Sequence, residues 1–215
     1  MKNIQTLGGV SALLESFIYV LAFIFFGVFY SFPVDVNSVQ QFAFLAENKT
    51  ILSVVNFIMY VLFGIFLVVL VLALYERLKA SSPILSQIAS VFGIIWVGLV
   101  IASGMIANIG LASVLELSVT DPERAMTVWH TINAIVEGLG GGNEVVGGLW
   151  VFLISLAALK TDKLSKLLSY FGLFVGSVGI LTIYPAQVLT EIFGVSQIVW
   201  FNWIGLRLLK NSQSK

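Results

Sequence analysis

Long apolar blocks alternate along the chain with short polar connections. An α-helix needs about 20 predominantly apolar residues to cross roughly 30 Å of hydrocarbon, and every block meets that length. The pattern predicts membrane-spanning helices over approximately 8–30, 51–75, 84–112, 127–159, 167–184 and 188–209. Helix breakers support these limits. Pro83 after "KASS" opens the third helix, Asp121-Pro122 precedes the fourth, and Pro185 marks a tight turn between the fifth and sixth. The expected fold is all-α: a polytopic bundle of six transmembrane helices forming a single integral membrane domain over residues 1–215.

An even number of crossings puts both termini on one side, and the retention of Lys and Arg in short cytoplasmic loops decides which side. Lys2, Arg77, Lys79, Lys160, Lys163, Lys166, Arg207, Lys210 and Lys215 fall on the side of the termini, against Lys49 and Arg124 on the other. Nine against two places both termini in the cytoplasm. The opposite face carries Asp35, Glu47, Glu116, Asp121, Glu123 and Glu191, so a formal net charge of zero conceals a polarised molecule. The first block follows only "MKNIQT" and precedes "SFPVDV" instead of a small-residue cleavage site, and it reads as a retained helix. Tyr30, Trp129, Tyr184, Trp200 and Trp203 fall where interfacial aromatic anchors are expected or slightly deeper.

Composition agrees with the pattern and removes several kinds of chemistry. The chain is 59% hydrophobic and 10% charged, with a mean hydropathy of +1.02, far from the balance of a soluble domain. There is no cysteine, hence no disulfide, thiolate metal site or cysteine nucleophile. A lone histidine, His130, rules out bis-histidine haem and a three-histidine zinc site. "GLGGGNEVVGG" lacks the ending of a P-loop and follows no strand, so nucleotide binding has no support. No metal, cofactor or nucleic acid is expected, and no catalytic residue stands out.

Candidate chemistry lies in the polar residues that remain inside the spans. Glu15 falls in the first helix and Glu137 and Glu144 in the fourth. A charge near the bilayer centre costs roughly 3 kcal/mol even on lenient scales, so such residues face the bundle interior or a wet cavity. The alternative is a carboxyl that only ties helices together. His130, Asn133, Glu137 and Glu144 are spaced to share one stripe of a continuous helix, running inward from the outer surface. Asn143 adjoins that stripe. Asn56, Tyr60 and Asn108 add polarity in the outer half, with Tyr184 and Gln187 as outer additions.

Glycine is concentrated beside Glu144. Successive glycines at Gly140, Gly141 and Gly142 weaken a helix and free backbone groups that need partners within protein or a cavity. The fourth helix is therefore expected to be interrupted there. Close packing is the competing explanation, and it is preferred for Gly147, Gly148 and for Gly172, Gly176 and Gly179 in the fifth helix.

The run "GGNEVVGGLWVFLISLAALK", with "YFGLFVGSVGILTIYPA", "FGVSQIVWFNWIGLRLL" and the earlier "NKTILSVVNFIMYVLFGIFLVVLVLALYERLK", resembles an uncharacterised family of small bacterial six-helix membrane proteins. The resemblance covers most of the chain after residue 48 and implies a bacterial inner-membrane location without supplying a reaction. Three functions stay open. The first is transport or permeation of a small solute or ion through the polar site, with a homo-oligomer expected because six helices are few for a carrier. The second is a protein holding a lipid or quinone between its helices. The third is an intramembrane enzyme acting on a lipid.

Overall fold

A computed structural model of the chain describes residues 2–161 and 163–213, the side chains of Lys2 and 211–213 excepted. Every element in the described residues is helical. The first, α1 (Lys2–Ile24), ends in a wide π-helical turn, Phe25–Phe29. A surface helix, α2 (Ser38–Glu47), precedes α3 (Lys49–Asn56), which passes through a second π-helical turn, Phe57–Leu62, into α4 (Phe63–Leu78). Then follow α5 (Pro83–Ser118) and α6 (Pro122–Val136). A third π-helical turn, Glu137–Gly141, leads towards α7 (Val145–Leu159), and the chain closes with α8 (Lys166–Leu181) and α9 (Gln187–Gln213).

Local chemistry sets several of these starts. Asp121 accepts a hydrogen bond from the Arg124 N–H and Pro122 occupies the first turn of α6, where its missing N–H costs nothing. Asn37 accepts from Gln40 N–H to cap α2, and Ser165 accepts from Leu168 N–H to cap α8.

Among the described residues, five stretches are long and apolar enough to cross a membrane: Asn3–Phe29, Lys49–Leu78, Pro83–Ser118, Pro122–Leu159 and Gln187–Lys210. The predicted fifth span corresponds to α8, whose 16 residues reach only about 24 Å at the helical rise. Outward-facing positions are apolar. Phe17, Leu72, Ile94, Phe174 and Leu206 are all exposed, a surface suited to lipid and unsuited to water.

Neighbouring rods run antiparallel. Gly9 meets Gly205 and Leu209 across α1 and α9, and Phe23 meets Gly194 further along, so the start of α1 lies beside the end of α9. Both termini therefore lie at one end of the bundle. The main core lies between the rods, with Leu67, Leu70, Leu74, Ile154 and Ile204 buried. A second core, formed by Phe42, Leu45, Leu52, Leu111, Val114 and Ala125, sits at the far end under α2. It exists because α5, at 36 residues and about 54 Å, is much longer than the hydrocarbon layer, and its last turns are covered by α2 and α6.

Several sequence expectations need correction. The first helix begins at Lys2, earlier than 8, the third continues to Ser118, past 112, and the fourth begins at Pro122, before 127. No helix was expected over Ser38–Glu47. Trp200 is no interfacial anchor: only 2% of it is exposed, in the centre of the bundle. Of the basic residues assigned to the side of the termini, Lys215 lies outside the described residues.

Candidate ligand cavity

The far half of the bundle contains a cavity of about 810 Å³. Its walls come from the end of α1, the turn before α4, the middle of α5, the segment between α6 and α7, and the α8–α9 turn. All three π-helical turns of the described residues contribute lining residues: Phe26 and Gly27 from the first, Met59 and Tyr60 from the second, Glu137 and Gly140 from the third. A π-turn inserts an extra residue per turn and re-aims the side chains beyond it, which is why such turns gather at functional sites.

The segment between α6 and α7 is the least regular part of the site. Gly140 has φ +143, a backbone conformation that a residue with a Cβ adopts only under strain. Both Gly142 and Asn143 donate their N–H groups to the Glu137 carbonyl, at 3.2 and 3.0 Å. Regular helix resumes at Val145. Breaking a helix orphans backbone groups, and in a membrane interior these need protein partners. Here side chains from three other helices supply them. Thr182, the C-cap of α8, accepts from Glu144 N–H at 2.8 Å and donates to the Gly179 carbonyl at 2.7 Å. Thr190 of α9 donates to the Gly142 carbonyl at 3.1 Å, and Ser103 of α5 donates to that of Val136 at 3.3 Å. Asn143 closes the set by accepting from Val145 N–H at 3.2 Å.

This bracing aims two carboxyls at the cavity. Glu144 is 7% exposed and lines the floor, with Oε2 lacking any hydrogen-bond partner. Glu137 is exposed, and its carboxyl folds back over Gly142, which has no side chain to obstruct it. The Tyr60 hydroxyl lies within electrostatic reach of both acids, and Tyr19 within reach of Glu144 and Glu15. The Trp96 indole is close enough to act on Glu144, yet its N–H makes no well-formed hydrogen bond.

Beneath the floor the path is closed. Phe63, Trp96, Trp150, Trp200 and Phe201 form a circuit in which each ring contacts the next, with centroids 5.5 to 5.9 Å apart. All five are buried, and their edge-on and tilted contacts make a dense layer across the bundle. The cavity therefore ends at half depth.

The sequence-derived candidates divide cleanly. Glu137, Asn143, Glu144, Gly140, Gly141, Gly142, Tyr60 and Gln187 line the cavity. His130 does not; it is exposed on α6, and Asn133 stays outside the lining as well. The expected stripe is thus corrected: it assumes a continuous helix, and the break between Glu137 and Glu144 turns the two halves independently. Asn56 and Asn108 bond each other at 3.1 Å, with Asn108 also donating to the Ser53 carbonyl, so they join two helices. Tyr184 is exposed outside the cavity. Glu15 is fully buried below it, and neither of its carboxyl oxygens has a partner. Because Ser16 donates to the Ile198 carbonyl, Glu15 lies at the level of Gln197, whose amide is also buried and unpartnered.

Sequence reasoning missed Thr182, Thr190 and, Tyr60 apart, the aromatic lining. The two threonines flank the Tyr184-Pro185 turn, where a hydroxyl in an apolar stretch was the available signal. Trp96 and Phe193 gave none, since an aromatic in a membrane helix reads as core.

These features define an α-helical protein with several helices fit to span a membrane and a ligand-sized cavity at half depth. No protein-family model, no curated protein and no solved structure matches the chain.

Proposed function

We propose that this chain is a bacterial inner-membrane protein with both termini cytoplasmic, and that it takes up a small solute from the outer side as the first step of transport. In this reading α8 also crosses, tilted less than its neighbours, which makes six spans. The observation that carries the proposal is Glu144: a buried carboxyl, one oxygen of which has no hydrogen-bond partner, set on a braced helix break in the lining of a cavity in the half of the bundle away from the termini. Intramembrane carboxyls on discontinuous helices provide the polar contact that a solute needs at half depth. For transport, the aromatic circuit below must part to give access from the other side.

A second reading is a protein that holds a lipid or quinone without moving it, and the closed circuit of buried rings favours that one. The absence of native cysteine gives a direct test. Single cysteines are placed at Ala22, which lines the cavity, and at Ala12, fully buried one turn below Glu15. Each is probed in inverted and right-side-out vesicles with a membrane-impermeant maleimide. Transport predicts outer labelling of Ala22→Cys and slow labelling of Ala12→Cys from the cytoplasmic side. Labelling at Ala22 with an inert Ala12→Cys rejects transport in favour of holding, and an inert Ala22→Cys rejects the outward cavity itself.

A further inference from the structure

The chemical class of the solute follows from what the cavity walls contain, an inference that rests on the cavity being the solute site. Glu137, Glu144 and Glu191 line it, and no lysine, arginine or histidine does among the described residues. The rest of the polar lining is neutral, including Asn143, Gln187 and Thr190. An anion would meet uncompensated negative charge in a low-dielectric space, where like charges repel most strongly. A neutral hydrocarbon would remove what exposure Glu144 has and offer its carboxyl, one oxygen of which is already buried without a partner, no compensating contact, which is unfavourable for any polar group and worst for a charged one.

A cation meets neither objection, and the cavity says which kind. Among the described residues no group of three or more His, Cys, Asp or Glu side chains converges to hold a metal ion. Aromatic rings dominate instead: Tyr19, Phe23, Tyr60, Trp96 and Phe193 all face the space. Ring faces attract positive charge through their quadrupole, and they do so best where water is excluded. They also pack against apolar substituents, which an aqueous inorganic ion lacks. A volume of about 810 Å³ lies within the range occupied by drug-sized ligands and far exceeds that of a bare ion.

We propose that the cavity binds a lipophilic organic monocation, its charged centre near Glu144 and Glu137 and its apolar groups against the aromatic wall. Glu144 provides the charge match at the floor and the exposed Glu137 the approach. The α7 N-terminus, which alone would favour an anion, is outweighed by the acid at its N-cap, Glu144.

The test uses two probes of nearly the same size and shape but opposite charge, tetraphenylphosphonium and tetraphenylborate. Binding to purified protein is measured by equilibrium dialysis against empty micelles of the same detergent, which subtracts partitioning. The expected result is saturable binding of the phosphonium, at least about tenfold tighter than the borate. Glu144→Gln should weaken it by about tenfold or more, and Glu137→Gln by about threefold, with melting temperatures near that of the parent. Should Glu144→Gln fail to fold, the exposed Glu137→Gln and the borate comparison still decide. Equal binding of both probes, or unchanged phosphonium affinity in the glutamine variants, overturns the cation assignment while leaving a solute cavity in place. No saturable binding of either probe also overturns it. If the cysteine at Ala22 then labels from outside, only the ligand class is wrong; if it stays inert, the solute-site reading fails too.

Discussion

Gly140 and Gly148 belong to one glycine-rich run, and the structure uses them for opposite purposes. At Gly148 the backbone is ordinary helix and the neighbours leave no space: an added Cβ would stand 2.6 Å from the Gly179 carbonyl carbon and 2.6 Å from the Ile180 nitrogen. Gly176 repeats this from the other side, 2.5 Å from the Phe152 nitrogen. Here glycine lets α7 and α8 touch backbone to backbone, the small-residue packing of membrane helices. At Gly140 the situation is reversed. The nearest atom to an added Cβ is a Val100 methyl at 3.4 Å, an ordinary contact, but φ is +143. There the absence of a side chain permits a conformation, and the conformation creates the cavity floor. One composition thus builds a rigid seam and, a turn or two away, a braced irregularity.

The largest effect expected is from Gly148→Ala, where backbone meets the new methyl and no flexible side chain can yield. Overpacking of this kind costs about 3 kcal/mol. Denaturation in mixed detergent, followed by circular dichroism, should show that loss, while Gly98→Ala, which meets nothing within 4 Å, should stay within about 0.5 kcal/mol of the parent. If the two substitutions behave alike, the seam is not close-packed.

Gly140→Ala should be milder in stability, about 2 kcal/mol from backbone strain. Its distinguishing consequence is in the cavity: outer labelling of the Ala22 cysteine should change in the Gly140→Ala background and remain as before in Gly138→Ala, a position with open space around it. Should Gly140→Ala leave both stability and labelling untouched, the positive φ is not required.

Thr182→Val sharpens the same contrast. It leaves the Glu144 N–H and the Gly179 carbonyl without their shared hydroxyl, at a cost of about 1 to 2 kcal/mol. Phosphonium affinity should fall along with stability, because Glu144 loses its anchor. The smallest effect is predicted for the Asn56–Asn108 pair. A double-mutant cycle with alanine should give a coupling near 0.6 kcal/mol, typical of polar pairs between membrane helices. Cavity labelling should not respond, because that bond lies outside the lining.

Much of the architecture could be read directly from the chain because hydropathy is a local property. A block of some twenty apolar residues has few alternatives to a membrane helix, whatever it packs against, and the described residues hold five helices long and apolar enough to be one. Glu137 and Glu144, which line the cavity, were legible as candidates for a related reason: a carboxyl in an apolar helix is expensive and has to face something polar. The helix α2 escaped notice because its Phe42 and Leu45 are scattered among polar residues and acquire meaning only under the projecting end of α5. His130 and Asn133 fall outside the lining because the stripe that joined them to Glu144 ran through residues 142–144, where the chain leaves the helix.

By itself, then, the sequence determined that the chain is helical, that its helices suit lipid, and that acids and glycines meet near the middle of the fourth block. Each of these is a sum over neighbours in the chain. Only the tertiary structure decided that Thr182 and Thr190 brace the break, that Gly148 packs whereas Gly140 turns, and that rings from α4, α5, α7 and α9 close the cavity floor. Those outcomes depend on contacts between segments far apart in the chain, and hydrophobicity alone cannot tell which apolar side chain will line a cavity and which will fill a core.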